Sequence, residues 1–399
     1  RLRRYWEPQT GTGSAIPANS ESALEQLREL LFQAVECRLD REHPVATLLS
    51  GGLDSSAIAA IASRYLARKN RQLTAVAAVL PEENLGMFKD ERSYIGEFKT
   101  TENLNIRYVT ARGRGPFDSL ADTSRFAAFP LRSSRFFLDE ECAKAAIESG
   151  AQTLLSGAGG EFSVTSTGER YYLESAIRLR WFALFQMLRN RRASAGPSAL
   201  RILAGQVFRT IKPLRGGSPM VFLNERFRRE CIDGAAYRNR WPTQRRYQAA
   251  AIRFWLRKHA LARGQTLELI RPGYPLLDKR ILEFCLALPP GMETQQGYPR
   301  YLVRGALEGV LPPRIQWRTS KHPYSPDYFL RYNAQLGVAR DYVAGIRPTD
   351  PVREIIDVSR LASSLQPVDP KLGTTLARDT IPLSLYVIAF LRQFSDFRS

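Results

Sequence analysis

The chain of 399 residues is 44% hydrophobic and carries 58 Lys and Arg against 39 Asp and Glu, a formal net charge of +19. That length and apolar share supply a large core and exclude a disordered chain, and no apolar run approaches the roughly 18 residues of a membrane span. Cys37, Cys142, Cys231 and Cys285 are scattered, with only His43, His259 and His322 to join them, which excludes a zinc site or disulfide framework by spacing and predicts buried free thiols.

In chain order, residues 20–39 (SESALEQLRELLFQAVECRL) place Leu24, Leu27, Leu31, Ala34 and Val35 at helical spacing behind a capping-box pattern of Ser22 with Glu25. PVATLL (44–49) reads as a buried strand and SSAIAAIASRYLARK (55–69) as the helix that follows it. Short apolar runs recur at 73–80, 106–111 and 151–157, separated by helical patterns such as LDEECAKAAIESG. Alternating strands and helices predict an α/β fold with a parallel sheet covered on both faces. Beyond about residue 165 strand signals fade and helical patterns broken by Pro and Gly dominate. The expected division is an α/β core over 20–165 followed by a mainly helical region over 166–399, with loop composition at 189–199.

Charge is uneven. Residues 178–258 hold nineteen Lys or Arg against Glu225, Glu230 and Asp233, a net +16, which leaves +3 for all the rest. This is either a solvated helical face or a docking surface for an acidic partner or nucleic acid. The aromatics interleaved with it, in RLRWFALF and RFWLRKH, lie at helical spacing and read as core.

The strand at 44–49 runs into Ser50-Gly51-Gly52-Leu53-Asp54-Ser55-Ser56. Glycines let backbone N–H groups converge on an anion, and the next helix presents its positive end. No Lys follows these glycines as in a Walker-type loop, so bound phosphates need positive charge from elsewhere. Asp54 sharpens that need, since a carboxylate beside a triphosphate is repulsive unless Mg²⁺ lies between them. A second loop, LLSGAGGEF (154–162), offers Ser156, Gly157, Gly159 and Gly160 for close backbone approach and Glu161 as another hard oxygen ligand. Both strands end in LLSG, which would set the loops side by side at the carboxyl edge of one sheet. The plainer reading is two ordinary glycine turns with exposed acids nearby.

SGGLDSS with LLSGAGGE downstream resembles the synthetase domain of the asparagine synthetase family, ATP pyrophosphatases that activate a carboxylate as its adenylate. RPGYPLLDKRILEFCLALPPGM (271–292), RYLVRGALEGVLPPRIQWR (300–318) and Lys321 follow in the family's order, and RLRRYWEP resembles the linker after an N-terminal glutaminase-type domain. The resemblance implies an adenine nucleotide alpha-hydrolase-like core with a large helical C-terminal elaboration, and 1–19 as the remnant of that linker. It implies ATP and Mg²⁺ as cofactors, with Ser50, Gly51, Gly52, Asp54 and Ser55 matching the pyrophosphate loop. Leu48, Ser156 and Gly157 match nucleoside contacts, Asp54 and Glu161 the magnesium ligands, and Lys321 a lysine that neutralises charge in the adenylation and amidation steps.

Three departures choose among family members. Asparagine synthetases carry Glu at the position of Ala158 and Asp at that of Glu161, and β-lactam synthetases place Tyr where Ala158 stands. A Thr-Ser pair also lengthens the spacing between Arg318 and Lys321. A small residue at 158 leaves room for a larger substrate, so the expected member is a lasso-peptide cyclase that joins a precursor peptide's N-terminal amine to an Asp or Glu side chain. A leader-peptide-binding protein and a leader peptidase would dock on the basic 178–258 segment. Glu169 and Glu174 are candidates for the general base by position alone, each with the competing reading of an ordinary surface carboxylate. Asparagine synthetase itself, a β-lactam synthetase-like enzyme and a tRNA-modifying ATP pyrophosphatase are the alternatives, the last because basic segments suit phosphates. Nucleic acid is the less expected partner. A cytoplasmic location is expected, because RLRRYWEPQT is not a secretion signal.

Overall fold

The computed structural model describes residues 5–10, 19–118, 120, 133–168, 170–182, 184–185, 204–205, 221–229, 243–261, 269–289 and 291–395. Its centre is a five-stranded, fully parallel sheet of β1 (Val45–Leu48), β2 (Leu73–Ala78), β3 (Leu104–Val109), β4 (Thr153–Leu155) and β5 (Arg271–Gly273), ordered β3-β2-β1-β4-β5. Residues Val45 to Leu48 pair in register with Leu73 to Val76 on one side, and Val45 to Thr47 with Thr153 to Leu155 on the other. The chain runs outward from β1 to β3 and then returns to place β4 on the other side of β1. That reversal leaves a crevice above the carboxyl ends of β1 and β4.

Side-chain alternation covers both faces. Val45, Ala75, Ala77 and Leu155 pack into one cluster with α1 (Ser20–Glu36) and α2 (Leu53–Ala67). Ala46, Val76 and Leu154 point the other way, onto α4 (Phe136–Glu148), which comes after the single-turn α3 (Arg92–Ile95) in the chain, through Cys142, Ala143 and Ala146. Residues buried on both sides of a strand explain the near-continuous apolar runs of the sequence. The first cluster also takes in Leu276, Ile281, Phe284, Leu302, Val303, Leu307 and Ile315, so the region beyond residue 166 shares a core with the sheet.

Three details depart from the sequence reading. The cap of α1 is Asn19, whose side chain accepts the Ser22 N–H at 2.8 Å while the Ser22 hydroxyl accepts the Asn19 N–H at 3.3 Å, so the capping box lies three residues upstream of the Ser22–Glu25 pair. A fifth strand comes from Arg-Pro-Gly at 271–273, a tripeptide without apolar alternation that tertiary pairing with β4 alone makes extended. A two-stranded antiparallel pair, Thr294–Gln295 with Tyr298–Pro299, follows it.

A second apolar cluster is built from Phe117, Phe136, Phe137, Tyr328, Tyr332, Leu336, Leu361, Ile381, Leu385 and Tyr386. It joins the start of α4 to the helices Tyr328–Ala334, Leu336–Ala344, Val358–Ser364 and Ile381–Ser395. Packed there, these helices carry the segment 318–327 across the crevice. Among the described residues no helix is long and apolar enough to cross a membrane.

Of the cysteines, Cys142 and Cys285 are buried as expected, whereas Cys37 is exposed at the end of α1; Cys231 lies outside the described residues. The aromatics of RLRWFALF are also not core: Trp181, Phe182 and Phe185 are 61%, 76% and 62% exposed. Helical spacing there marks a face that the described structure does not cover. Residues 189–199, Glu169 and much of the basic 178–258 segment lie outside the described residues. Within the described part, Arg245 is buried in an ion pair with Glu293, Arg229 pairs with Glu225 at 3.0 Å, and Arg253 with Glu7 at 3.0 Å. Part of the +16 is therefore internal structure.

Candidate active site

The turn after β1 is shaped by close packing. Gly51 has φ +67, and a Cβ there would lie 2.9 Å from the Tyr94 Cβ and 3.2 Å from Glu91 Oε2, so both dihedral and space require glycine. Gly52 caps α2 without any side-chain hydrogen bond, so the cap residue satisfies none of the first amides of that helix. The Ser55 hydroxyl accepts the Ser50 N–H at 3.0 Å and meets the Ser50 hydroxyl at 2.9 Å, which holds the turn closed.

The turn after β4 lies directly against it. A Cβ on Gly157 would fall 2.6 Å from the Asp54 carbonyl carbon and 2.7 Å from the Ser55 nitrogen. Ser156 Oγ accepts the Ala158 N–H at 3.2 Å, and Gly159, at φ +90, turns the chain into the single 3-10 turn Gly160–Phe162 that carries Glu161. The two LLSG loops are thus neighbours because β1 and β4 are neighbours.

Leu48, Ser50, Asp54, Ser55, Ser156, Gly157, Ala158, Glu161 and Lys321 all line one cleft of about 1160 Å³, its open mouth included. Gly51 and Gly52 shape its rim without lining it. Glu174 is elsewhere and is no surface carboxylate: only 3% exposed, it accepts the Gln244 N–H at 3.0 Å at the start of the helix Gln244–Leu261. Glu169, the other candidate base, lies outside the described residues.

Asp54 accepts the Thr165 hydroxyl at 2.5 Å. Burial raises its carboxyl above the usual range, opposed by the Thr165 bond and by the Arg300 and Lys321 charges. Glu161 is exposed at its tip, yet partial desolvation against the cleft wall and the nearby Asp54 charge raise it too. Two carboxyl groups that repel one another and face one cleft could hold a hard divalent cation. Among the described residues no cluster of three or more His, Cys, Asp or Glu forms an all-protein metal cage.

Lys321 is exposed and makes no salt bridge within 4 Å among the described residues, and its Cε lies 4.0 Å from where a Gly52 Cβ would stand. The strap that carries it is pinned at both ends. At the far end, buried Arg331 pairs with Asp327 at 2.8 Å and donates to the carbonyls of Thr110 at 2.8 Å and Arg114 at 2.9 Å. At the near end, buried Arg318 makes a forked ion pair with Glu91 and donates to the Ser320 carbonyl at 2.6 Å. The extra Thr-Ser pair is thereby tied to the Arg318 guanidinium through the Ser320 carbonyl. The opposite end of the cleft is walled by Val76, Val79, Leu80 and Leu138, with Asp139 and Tyr324 joined by a hydrogen bond of 3.3 Å. Glu91, Thr165, Asp139 and Tyr324 carry no local motif and were not legible in the sequence.

A model of the asparagine synthase family matches residues 26–368. The chain belongs to the asparagine synthase family. It is 45% identical over 65 residues to a glutamine-hydrolyzing asparagine synthetase of Zea mays, covering 16% of this chain and 11% of that one. Over 61 residues it is 48% identical to a probable glutamine-hydrolyzing asparagine synthetase of Schizosaccharomyces pombe, covering 15% and 11%. A longer stretch of 166 residues is 26% identical to the amidase chry2 of Gibberella zeae, covering 39% of this chain and 25% of that one. The chain thus spans a quarter or less of the length of the curated relatives it matches. Among solved structures, the U34-tRNA thiolase of Methanococcus maripaludis aligns with 65% of this chain and 88% of its own, at 14% identity and a TM-score of 0.28.

Proposed function

We propose that this member of the family is an ATP-dependent carbon–nitrogen ligase that forms an acyl-adenylate and passes the acyl group to an amine. The observation that carries the reading is the contact of the Gly157 turn with Asp54 and Ser55, beneath the strap bearing Lys321. In this reading the Ser50–Ser55 turn and the α2 N-terminus grip the β- and γ-phosphates, and Leu48, Ser156 and Gly157 face the nucleoside. The substrate carboxylate attacks the α-phosphorus and pyrophosphate departs; the amine then attacks the acyl carbon, loses a proton and releases AMP. Asp54 and Glu161 would hold Mg²⁺, which when bound would supply charge neutralisation for the departing pyrophosphate. The Lys321 ammonium supplies the positive charge that the glycine turn lacks, an effect worth about 3 kcal/mol at a site of developing charge.

The finer reading is a macrolactam synthetase of the lasso-peptide type, in which the amine is the peptide's own N-terminus. Ala158 supports it: this residue lines the cleft and presents only a methyl group where a bulkier side chain would fill space. An intramolecular amine needs no ammonia source, and folding the peptide into the cleft supplies the proximity. A leader-binding protein and a leader peptidase would meet the basic 178–258 segment. Asparagine synthesis is the second reading, favoured by the names of the Zea mays and Schizosaccharomyces pombe relatives.

Release of AMP and pyrophosphate from Mg·ATP separates the two readings. One assay holds a synthetic peptide with a free N-terminal amine and a downstream Asp or Glu, the other aspartate with ammonium chloride. Loss of one water from the peptide, with AMP formed in equal amount, supports cyclisation; asparagine in the second assay supports the alternative. Absence of AMP from both, while a Lys321→Ala control is indistinguishable from the wild type, would sink the ligase reading.

A further inference from the structure

Behind the cleft wall lies a cation that is already neutralised, and lining the cleft is another that is not. Arg318 is buried, its side chain 5% exposed, and both guanidinium nitrogens of its fork are spent on Glu91, whose side chain is 9% exposed. Lys321, three residues later, is exposed and unpaired within salt-bridge distance among the described residues. Neutralised Arg318 adds little field at the cleft, so its role is geometric.

Its contacts tie three segments together. Arg318 Nη1 donates to the Gly51 carbonyl at 2.9 Å, across 267 residues of sequence. Glu91 Oε1, besides accepting from Arg318 Nη2 at 3.1 Å, accepts the His322 N–H at 2.7 Å, so the same carboxylate grips the strap on either side of Lys321. The Arg318 Cζ lies 3.6 Å from the centre of the ring of Tyr94, the residue that forbids a Cβ at Gly51. Because the carbonyl and N–H of one trans peptide point in opposite directions, anchoring the Gly51 carbonyl on Arg318 turns the Gly52 N–H away from it. One ion pair therefore sets both the peptide plane of the phosphate turn and the height of the lysine above it.

We infer that Glu91 and Arg318 are positioning residues, a latch that holds the Lys321 ammonium and the Gly51–Gly52 peptide in one geometry around a bound pyrophosphate group. This rests on the proposed phosphate-binding role of the turn and adds residues that touch no substrate. An Arg is needed because only a planar fork serves a carboxylate and a carbonyl at once; Lys keeps the charge and loses the geometry.

The test is a double-mutant cycle read by calorimetry with Mg²⁺-pyrophosphate as the probe, run beside thermal unfolding. R318K should weaken pyrophosphate binding about tenfold in the wild-type background and about threefold in the K321A background, since only the Gly51–Gly52 peptide is left for the latch to hold once the lysine is gone. Equal weakening in both backgrounds would mean a general loss of structure and would overturn the proposal. If R318K does not fold, E91Q, which keeps the shape and removes the charge, carries the same cycle with the same two outcomes. Wild-type protein that binds neither Mg²⁺-pyrophosphate nor Mg·ATP would remove the functional reading and the latch with it, whereas wild-type binding with a flat cycle removes the latch alone.

Discussion

The Thr165 hydroxyl donates a 2.5 Å hydrogen bond to Asp54 Oδ1, joining the first turn of α2 to the chain just beyond the second glycine loop. This bond is the largest effect opposing the burial that raises the Asp54 carboxyl. Thr165→Val removes the donor at nearly constant volume, so Asp54 becomes harder to ionise and a poorer ligand. The Mg²⁺ concentration for half-maximal ATP turnover at pH 7 should rise about tenfold, and Thr165→Ser should restore it. Because the affected group has a raised pKa, the deficit should shrink as pH rises and Asp54 ionises fully. A deficit that Ser does not repair would assign Thr165 to packing.

Gly157 tests the contact between the two loops. An alanine methyl would sit 2.6 Å from the Asp54 carbonyl carbon and 2.7 Å from the Ser55 nitrogen, both backbone atoms with no side-chain freedom to yield. Gly157→Ala should force the turns apart and weaken binding of a non-hydrolysable ATP analogue by at least about tenfold, with a loss of roughly 1–3 kcal/mol in stability. Calorimetry and denaturant unfolding measure both. Unchanged affinity would show that the nucleotide does not span the two loops.

Asp139 predicts a pH dependence of stability. Burial lifts its carboxyl to about 6, against the opposing Tyr324 hydrogen bond and Arg135 charge. The folded state therefore holds this proton more tightly than the unfolded chain. The contribution is present in full at acid pH, below the ordinary carboxylate value, and is lost as pH rises through about 6. Asp139→Asn keeps an acceptor for Tyr324 and removes the titration. Relative to the wild type, it should gain on the order of 2 kcal/mol between pH 4 and pH 7.5, read as a shift of the urea midpoint. A constant difference across that range would contradict a buried, titrating Asp139.

The cysteines differ in reactivity by position. Burial pushes the Cys142 and Cys285 thiols up to about 12, whereas Cys37 is exposed beside the Arg38 guanidinium at 3.3 Å. At pH 8 a disulfide reagent followed by peptide mapping should label Cys37 more than about a hundredfold faster than Cys142 or Cys285 in the native protein, and all three alike in denaturant. Fast native labelling of Cys142 would mean that the cleft wall formed by α4 opens.

How much of this was legible depends on the range of the interactions. The strand–helix alternation through residue 155, the apolar face of α1 and the two LLSG loops were readable, because period and glycine dihedrals are set within a few residues. Once the alternation implied a parallel sheet, the pairing of the two glycine turns at its carboxyl edge followed. The Asn19 cap, the exposure of Trp181 and Phe182, the burial of Glu174 and the strand at Arg271–Gly273 were not readable, since local propensity there is overruled by what packs alongside.

What the sequence by itself determined is the inventory: a parallel α/β core, two glycine turns, and acids and a lysine in the order of one family. Only the tertiary structure decided which of these meet. Glu91 and Arg318 are 227 residues apart and Asp54 and Thr165 are 111 apart, so nothing local selects either pair. They find one another because placing β4 beside β1, and the second apolar cluster beside α4, brings them together where Glu91, Arg318 and Thr165 are buried. In that setting an unpaired buried charge is far more costly than an ordered ion pair.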